Sequence, residues 1–334
     1  MSGDQETAIR VRDLRKTFRV AEREAGLKAS FRSLVKRTHR DVDAVAGVGF
    51  DVAAGEVVGF LGANGAGKTT TLKMLSGLLH PTSGEVSVLG HTPHSRERDF
   101  LRRITLVMGN RNQLQWDIPA LDSFEMNRAV YRIPAADFRR TRDELVELLE
   151  IGDLVRKPVR NLSLGERMKA EIAAALLHRP QVVFLDEPTI GLDVTAQKRL
   201  RAFLAEYNQR TGASILLTSH YMADVQALCQ RVVVINAGQV LYDGGLRALT
   251  TRYSPHQTIS VQLPGDAVDL AGYGEVVEAT PDGRRTLRVP KAEASAVAAR
   301  LLADHEVSDL TIEDPPIEDV IEQVFADRPQ AVAR

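Results

Sequence analysis

The clearest chemistry in this sequence lies in eight consecutive residues. Gly62-Ala63-Asn64-Gly65-Ala66-Gly67-Lys68-Thr69 matches the phosphate-binding pattern G-x-x-x-x-G-K-[ST] in full. The glycines let the backbone curl around a polyphosphate, so that several N–H groups and the positive end of the next helix face it. Lys68 is expected to reach the terminal phosphates and Thr69 to ligate magnesium. The predicted phosphate-binding set is Gly62, Asn64, Gly65, Ala66, Gly67, Lys68, Thr69 and Thr70.

An acidic pair, Asp186 and Glu187, follows the apolar segment 181–185. Asp186 is suited to hold a magnesium ion, usually through water, and Glu187 to polarise an attacking water. Such a pair is weak evidence alone. Together with the phosphate loop it predicts a nucleoside triphosphatase, because that reaction needs both halves.

The elements around these residues predict a parallel sheet. Residues 56–61 form a short apolar strand before the loop, and 70–79 form a helix after it that stops before Pro81. Apolar strands at 181–185 and 214–218 alternate with helices, which places functional residues at the strands' carboxyl ends. His220 follows the second of these strands.

The rest of the chain divides into three kinds of segment. The alternation in residues 8–14 predicts an edge strand. Residues 100–154 are mostly helical around a buried strand at 104–108, and helix 163–178 starts with a capping box formed by Ser163 and Glu166. The end of the chain predicts a small α+β domain, with strands at 258–263, 285–289 and 308–312 and helices at 292–304 and 317–325.

Residues 19–41 contain a predicted basic amphipathic helix. Its apolar residues fall at helical spacing, and basic residues outnumber acidic ones. This helix could lie on lipid headgroups or against a membrane partner. Packing on its own domain is the equal alternative.

The composition excludes several classes of protein. The 334 residues carry 43 basic and 44 acidic side chains, so no charge excess points to nucleic acid. The single cysteine, Cys229, rules out an internal disulfide. We find no signal peptide in the first 20 residues and no apolar run of ~18 residues. A membrane role is therefore expected to come through a partner.

These motifs resemble those of ATP-binding cassette (ABC) proteins. Leu162-Ser163-Leu164-Gly165-Glu166 resembles the family signature LSGGQ, about 20 residues before the acidic pair. Residues 187–193 resemble the segment from the acidic pair to the D-loop, and His220 falls at the switch histidine. The resemblance covers residues 8–245. It implies an α/β P-loop NTPase core with a mixed sheet flanked by helices and a helical subdomain at about 98–178. The core is assigned to residues 1–248, an accessory domain to 249–330 and a tail to 331–334.

The resemblance also implies the ligands and their contacts. Two cassettes face each other, and each ATP, with Mg²⁺, lies between the phosphate loop of one and the signature of the other. Glu187 and His220 are the catalytic residues, with His220 contacting the γ-phosphate. Phe18 is the first candidate to stack on adenine, and Phe31 the second. The further nucleotide-binding residues are Ser163, Gly165, Glu166 and Asp193.

Two positions depart from the family pattern. Leu164 and Glu166 replace a glycine and the glutamine of the common signature. The glutamine that links magnesium to the membrane partner is displaced: counting from residues 117–119 favours Asn110, whereas Gln113 has the expected side chain. Both stay open as metal-site candidates beside Thr69 and Asp186.

The resemblance implies the ATP-hydrolysing subunit of a transporter, and residues 109–119 look like a bacterial subgroup that serves ABC-2-type exporters. The expected partners are a second ABC subunit, identical or different, and a separately encoded integral-membrane permease. The expected location is the cytoplasmic face of the membrane, as a peripheral protein without nucleic acid. A soluble ABC ATPase acting on ribosomes or DNA is the alternative, but the chain has one phosphate loop and no heptad run. A small-molecule kinase leaves residues 162–166 unexplained.

Overall fold

The computed structural model describes residues 6–21, 39–109, 113–253, 255–264, 269–280 and 283–326. The chain divides into two compact units, Met1–Gly244 and Gly245–Arg334. The division falls four residues before the predicted boundary after residue 248. The reason is that the residues after Gly245 begin a helix, Leu246–Tyr253, which packs against the last helix of the second unit.

A six-stranded sheet forms the centre of the first unit, in the spatial order β5-β6-β7-β3-β8-β9. The strands are β3 (Val57–Gly62), β5 (Ile104–Met108), β6 (Val182–Asp186), β7 (Ser214–Thr218), β8 (Arg231–Asn236) and β9 (Gln239–Gly245). The first five strands in this order pair in parallel. Strands β8 and β9 are joined by two residues, which only an antiparallel pair allows. The sheet is therefore mixed, and β6 and β7 are buried throughout, as strands covered on both faces must be.

A second, three-stranded sheet has β1 (Thr7–Ala21) in its middle, between β2 (His39–Ala53) and β4 (Ser83–Val88). The prediction of an edge strand at residues 8–14 is therefore wrong. Ile9 and Val11 are buried while Arg10 and Arg12 are exposed. Such alternation reports that one face is covered, and it carries no information about whether the strand's edges are paired.

The predicted helix at 19–41 is wrong at both ends. Strand β1 continues to Ala21 and β2 starts at His39, with Ala21 opposite His39 and Phe18 opposite Val42. Backbone pairing between the two strands takes up residues 19–21 and 39–41, which the predicted helical segment includes. Residues 22–38, including Phe31, lie outside the described part of the chain.

Ten helices are described: α1 (Lys68–Leu75), α2 (Arg98–Arg103), α3 (Ala120–Tyr131), α4 (Ala135–Leu148), α5 (Leu164–Leu176), α6 (Val194–Thr211), α7 (Met222–Leu228), α8 (Leu246–Tyr253), α9 (Ala294–Asp304) and α10 (Ile317–Ala326). Helix α1 ends four residues before the predicted Leu79, because Gly77 takes a φ of +73°. A Cβ there would come within 2.3 Å of the carbonyl oxygen of Pro93.

Helices α3 and α4 pack against α5 and form a helical layer. Strand β5 and helix α2, in the range predicted for the helical subdomain, pack with the sheet instead. His178 connects the two layers: its ring stacks on Tyr131 at 3.9 Å between centroids, and its Nε2 lies 3.0 Å from the carbonyl oxygen of Ile104. Burial lowers the pKa of His178 to about 4, so the ring is neutral near pH 7 and donates from Nε2.

The second unit contains an antiparallel sheet in the order β11-β12-β10-β13. Its strands are β10 (His256–Gln262), β11 (Glu275–Ala279), β12 (Arg284–Pro290) and β13 (Asp309–Glu313). The sequence predicts three of them and misses β11, whose five residues are all exposed and so show no burial pattern. Among the described residues, no helix combines the length and apolar character needed to cross a bilayer.

Candidate functional site

The phosphate-binding pattern forms the turn from β3 into α1. Gly67 occupies the position before the helix with a φ of +102°, and a Cβ there would come within 2.4 Å of the carbonyl oxygen of Ala44. Only glycine fits such a close approach. Among the described residues no side chain caps α1. The free N–H groups and positive end of the helix are therefore available to an anion.

Lys68 folds back over this loop. Its Nζ donates to the carbonyl oxygens of Gly62 at 2.6 Å and Ala63 at 3.1 Å, and the residue is 6% exposed. Burial lowers the pKa of Lys68, while the carboxylates of Glu187 and Asp186 act in the opposite direction. The ammonium group is thus held between the loop and the acidic pair.

Asp186, at the end of β6, connects helix α1 with the carboxyl end of β7. Its Oδ2 accepts a hydrogen bond from Thr69 Oγ1 at 2.8 Å, and its Oδ1 accepts one from Thr218 Oγ1 at 2.7 Å. A hydroxyl and a carboxylate side by side suit magnesium, which prefers oxygen ligands and takes few from the protein. The residues present therefore fit a magnesium ion shared with phosphate oxygens.

Glu187 and His220 form a contact pair beside this site. Glu187 Oε1 lies 2.9 Å from His220 Nε2, and both side chains are partly exposed. Glu187 has a φ of +55°, a conformation that costs free energy in a residue with a Cβ. Its N–H is held by the carbonyl oxygen and hydroxyl of Thr218, each at 3.1 Å. The pair combines a proton acceptor with a hydrogen-bond donor.

The predicted capping box is present at the start of α5. Ser163 Oγ accepts from the N–H of Glu166 at 3.3 Å, and Glu166 Oε2 accepts from the N–H of Ser163 at 2.8 Å. The bond from the Ser163 backbone is the largest cause of a lowered pKa of Glu166. Gly165 lies against α6, its Cβ position 3.4 Å from Ala196 Cβ, and Asp193 caps α6 by accepting from the N–H of Ala196 at 2.8 Å. These four predicted residues thus form one surface.

Not every predicted residue reaches the phosphate loop. No hydrogen bond or ion pair between described residues joins positions 163–166 to 62–69. Phe18 is 37% exposed on β1, with Lys16 Nζ 5.3 Å from its ring centroid. Gln113 donates from Nε2 to the carbonyl oxygen of Leu106 at 2.8 Å, so its side chain lies along β5 instead of at Thr69 and Asp186. Asn110 lies outside the described residues.

Several polar residues of this region were not predicted from the sequence. Thr218 could have been found because it ends an apolar strand beside the predicted His220. Glu171 is 3% exposed on α5, and its carboxylate accepts from the N–H groups of Gln113 and Leu114 at 2.8 and 3.2 Å. Burial raises its pKa. No local pattern reveals this contact, since its partners are more than 50 residues apart.

A cleft of about 470 Å³ lies between α2, β5 and the end of α3. Gln113 and the apolar side chains of Leu78, Leu101 and Val130 line it. Its rim is basic, and no described residue forms an ion pair with three of its arginines, Arg98, Arg102 and Arg132.

Comparisons with known proteins match both units. The family model described as ABC transporter matches residues 45–190, and the one described as EvrA-like ABC transporter, C-terminal domain, matches 255–313. The chain is 36% identical over 208 residues to the ABC transporter ATP-binding protein NatA of Bacillus subtilis, covering 62% of this chain and 84% of that protein. It is 35% identical over 246 residues to the Nod factor export ATP-binding protein I of Burkholderia orbicola, covering 72% and 76%. It is 31% identical over 313 residues to the daunorubicin resistance ATP-binding protein DrrA3 of Streptomyces coeruleorubidus, covering 87% of this chain and 94% of that protein.

Solved structures agree on the fold. The structure of cbiO1 from Clostridium perfringens, described as part of the ABC transporter complex cbiONQ, has a TM-score of 0.58 at 25% identity and covers 74% of this chain and 96% of that one. The ATP-binding cassette MJ0796, a dimer bound to ADP and Pi, has a TM-score of 0.59 at 22% identity, covering 72% and 99%.

Proposed function

The chain belongs to the ABC transporter family of ATP-binding proteins, and on that premise we propose that it hydrolyses Mg-ATP at Glu187 to drive a separately encoded membrane exporter. One observation carries the proposal. The three strands β6, β7 and β3 are neighbours in the sheet, and each ends in one part of the site. The phosphate loop follows β3, the acidic pair ends β6, and His220 follows β7.

The residues divide the work of hydrolysis. The loop N–H groups and Lys68 bind the phosphates of ATP. Thr69 and Asp186 would hold Mg²⁺, which would neutralise charge on the phosphate oxygens. Glu187 takes a proton from water as the water oxygen attacks the γ-phosphorus, and the bond to the bridging oxygen breaks so that ADP leaves. His220 donates a hydrogen bond to the γ-phosphate. Phe18 stacks on the adenine.

A second ABC subunit, a copy of this chain or a different one, completes each site. The N terminus of α5, with Ser163 and Gly165, forms no hydrogen bond or ion pair with its own phosphate loop among the described residues. Around it lie exposed apolar side chains: Leu164 at 38%, Ile190 at 41% and Val194 at 77%. Exposed apolar surface around polar groups is typical of an interface. ATP bound to one phosphate loop would therefore be covered by the α5 terminus of the partner.

We expect ATP to convert the Glu187→Gln variant from monomer to dimer, because ATP that is bound but not hydrolysed holds the two subunits together at both ATP sites. Val194→Glu in that background should prevent the dimer while leaving ATP binding intact. Glutamate at the first position of α6 suits the helix dipole, so folding is preserved. Val130→Glu, at an equally exposed valine outside this surface, is the matched control. Light scattering measures the mass. A monomer that is saturated with ATP in the Glu187→Gln protein would contradict the dimer.

The basic cleft is the proposed contact with the permease. Arg98, Arg102 and Arg132 fit an acidic cytoplasmic segment of the permease, and Val130 offers apolar contact. Gln113 lines the cleft, and Glu171 holds the Gln113 backbone to α5. A displacement of residues 109–127 by the permease would thus be transmitted through Glu171 to α5, the helix that carries the signature. Such a contact would hold the protein at the cytoplasmic face of the membrane as a peripheral subunit.

The relatives favour export over the alternative of a soluble ATPase acting on ribosomes or DNA. Two of them are named for export of Nod factor and for daunorubicin resistance. A net charge of −1 gives no support to binding of nucleic acid.

A further inference from the structure

Asp224 is a buried carboxylate outside the nucleotide-binding residues. It lies on α7, is 1% exposed and accepts three hydrogen bonds. Its Oδ2 accepts from Thr189 Oγ1 at 2.5 Å and from Ser219 Oγ at 2.7 Å. Its Oδ1 accepts from Arg201 Nη1 on α6 at 2.8 Å. Both oxygens of this buried carboxylate thus have hydrogen-bond donors, as a buried charge requires.

The two hydroxyl donors come from the segments that carry the catalytic pair. Thr189 lies two residues after Glu187, in the turn that leads to α6. Ser219 directly precedes His220, and its Oγ also accepts from the N–H of Tyr221 at 3.0 Å. One carboxylate oxygen therefore fixes the distance between the two backbone segments on which Glu187 and His220 stand.

Arg201 compensates the charge of the buried Asp224 carboxylate. Its side chain is 15% exposed and forms the ion pair with Asp224 from the adjacent helix. Because the pair is buried, removing either charge leaves the other uncompensated. The Asp224–Arg201 pair also ties α6 to α7, so all four polypeptide segments meet at one group.

We propose that Asp224 is a positioning residue for ATP hydrolysis, which holds Glu187 and His220 in contact through Thr189 and Ser219. Among the described residues, none of its hydrogen-bond partners is a residue assigned to nucleotide or metal. The inference rests on the proposed function, since it concerns the same reaction. A displacement of about 1 Å between catalytic groups is enough to lower turnover about 10²-fold.

The test compares kcat with ATP affinity. Asp224→Asn should lower kcat about 10- to 100-fold, while the Kd for ATP stays within about two-fold of the wild type, because the phosphate loop is untouched. Ser219→Ala and Thr189→Val each remove one donor and keep the Asp224–Arg201 pair, so they preserve folding if Asp224→Asn does not. Each should lower kcat by a smaller factor with unchanged ATP affinity.

A double variant separates positioning from general damage. In the His220→Ala background the Glu187–His220 contact no longer exists, so Asp224→Asn, Ser219→Ala or Thr189→Val should lower kcat further by less than about three-fold. If each variant lowers kcat by the same factor with and without His220→Ala, its effect is structural and independent of the contact, which would overturn the inference. Normal kcat in all three single variants would also overturn it. Absence of ATP hydrolysis in the wild-type protein would instead refute the proposed function.

Discussion

Replacement of Glu187 by glutamine is expected to lower kcat for ATP hydrolysis by about 10²–10⁴-fold and to leave ATP affinity nearly unchanged. The carboxylate is the group placed to accept the water proton. Glutamine has the same shape and can still contact His220, but it has no basic oxygen of comparable strength. Phosphate release measures kcat, and calorimetric titration with ATP measures affinity.

Glu206→Gln is the matched control for this substitution. It makes the same chemical change on the outer face of α6, where Glu206 pairs only with Arg210 among the described residues. We expect its turnover to equal that of the wild type. Near-normal hydrolysis by the Glu187→Gln protein would remove Glu187 from the role of general base.

Replacement of Lys68 by alanine is expected to weaken ATP binding by about 10²–10³-fold, in line with the loss of one partner from a buried charge pair. The carboxylates of Glu187 and Asp186 act electrostatically on Lys68, and the present acceptors of its Nζ are loop carbonyl oxygens that the ammonium group can exchange for phosphate oxygens. Without it, Asp186 and Glu187 would repel the incoming phosphates.

Calorimetric titration with Mg-ATP measures this loss. Lys73→Ala, five residues further along the same helix, is the control and should bind ATP as the wild type does. Tight ATP binding by the Lys68→Ala protein would contradict the assignment of the phosphate loop.

Local patterns were sufficient for the central part of the site. The loop at Gly62–Thr69 and the strand before Asp186 are contiguous in sequence, and their residue types follow directly from a parallel sheet with ligands at its carboxyl edge. The capping box of Ser163 and Glu166 was predictable for the same reason, since its partners are three residues apart.

Features that depend on distant pairing could not be predicted. β1 looks like an edge strand because alternation reports only which face is buried. The predicted helix includes both ends of the 19–41 segment because a local pattern does not reveal that Arg19 pairs with Asp41 and Ala21 with His39. β11 escaped because a wholly exposed strand has no hydrophobic period.

Contacts of buried polar side chains are the hardest features to predict from the sequence. Asp224 and Glu171 lie on helices where a single acidic residue normally faces solvent, and their partners come from other segments of the fold. Burial of a carboxylate follows from tertiary packing, which a local pattern does not contain.

The most direct test of the central claim is to trap the Glu187→Gln protein with Mg-ATP in its own cells, extract it in mild detergent and identify what copurifies. We expect an integral-membrane permease with several transmembrane segments. Its recovery should be lost when Arg98→Glu and Arg102→Glu are added to the Glu187→Gln protein. It should be kept when Glu206→Gln is added instead. Recovery of ribosomes or DNA-associated proteins, with no membrane protein, would contradict the account.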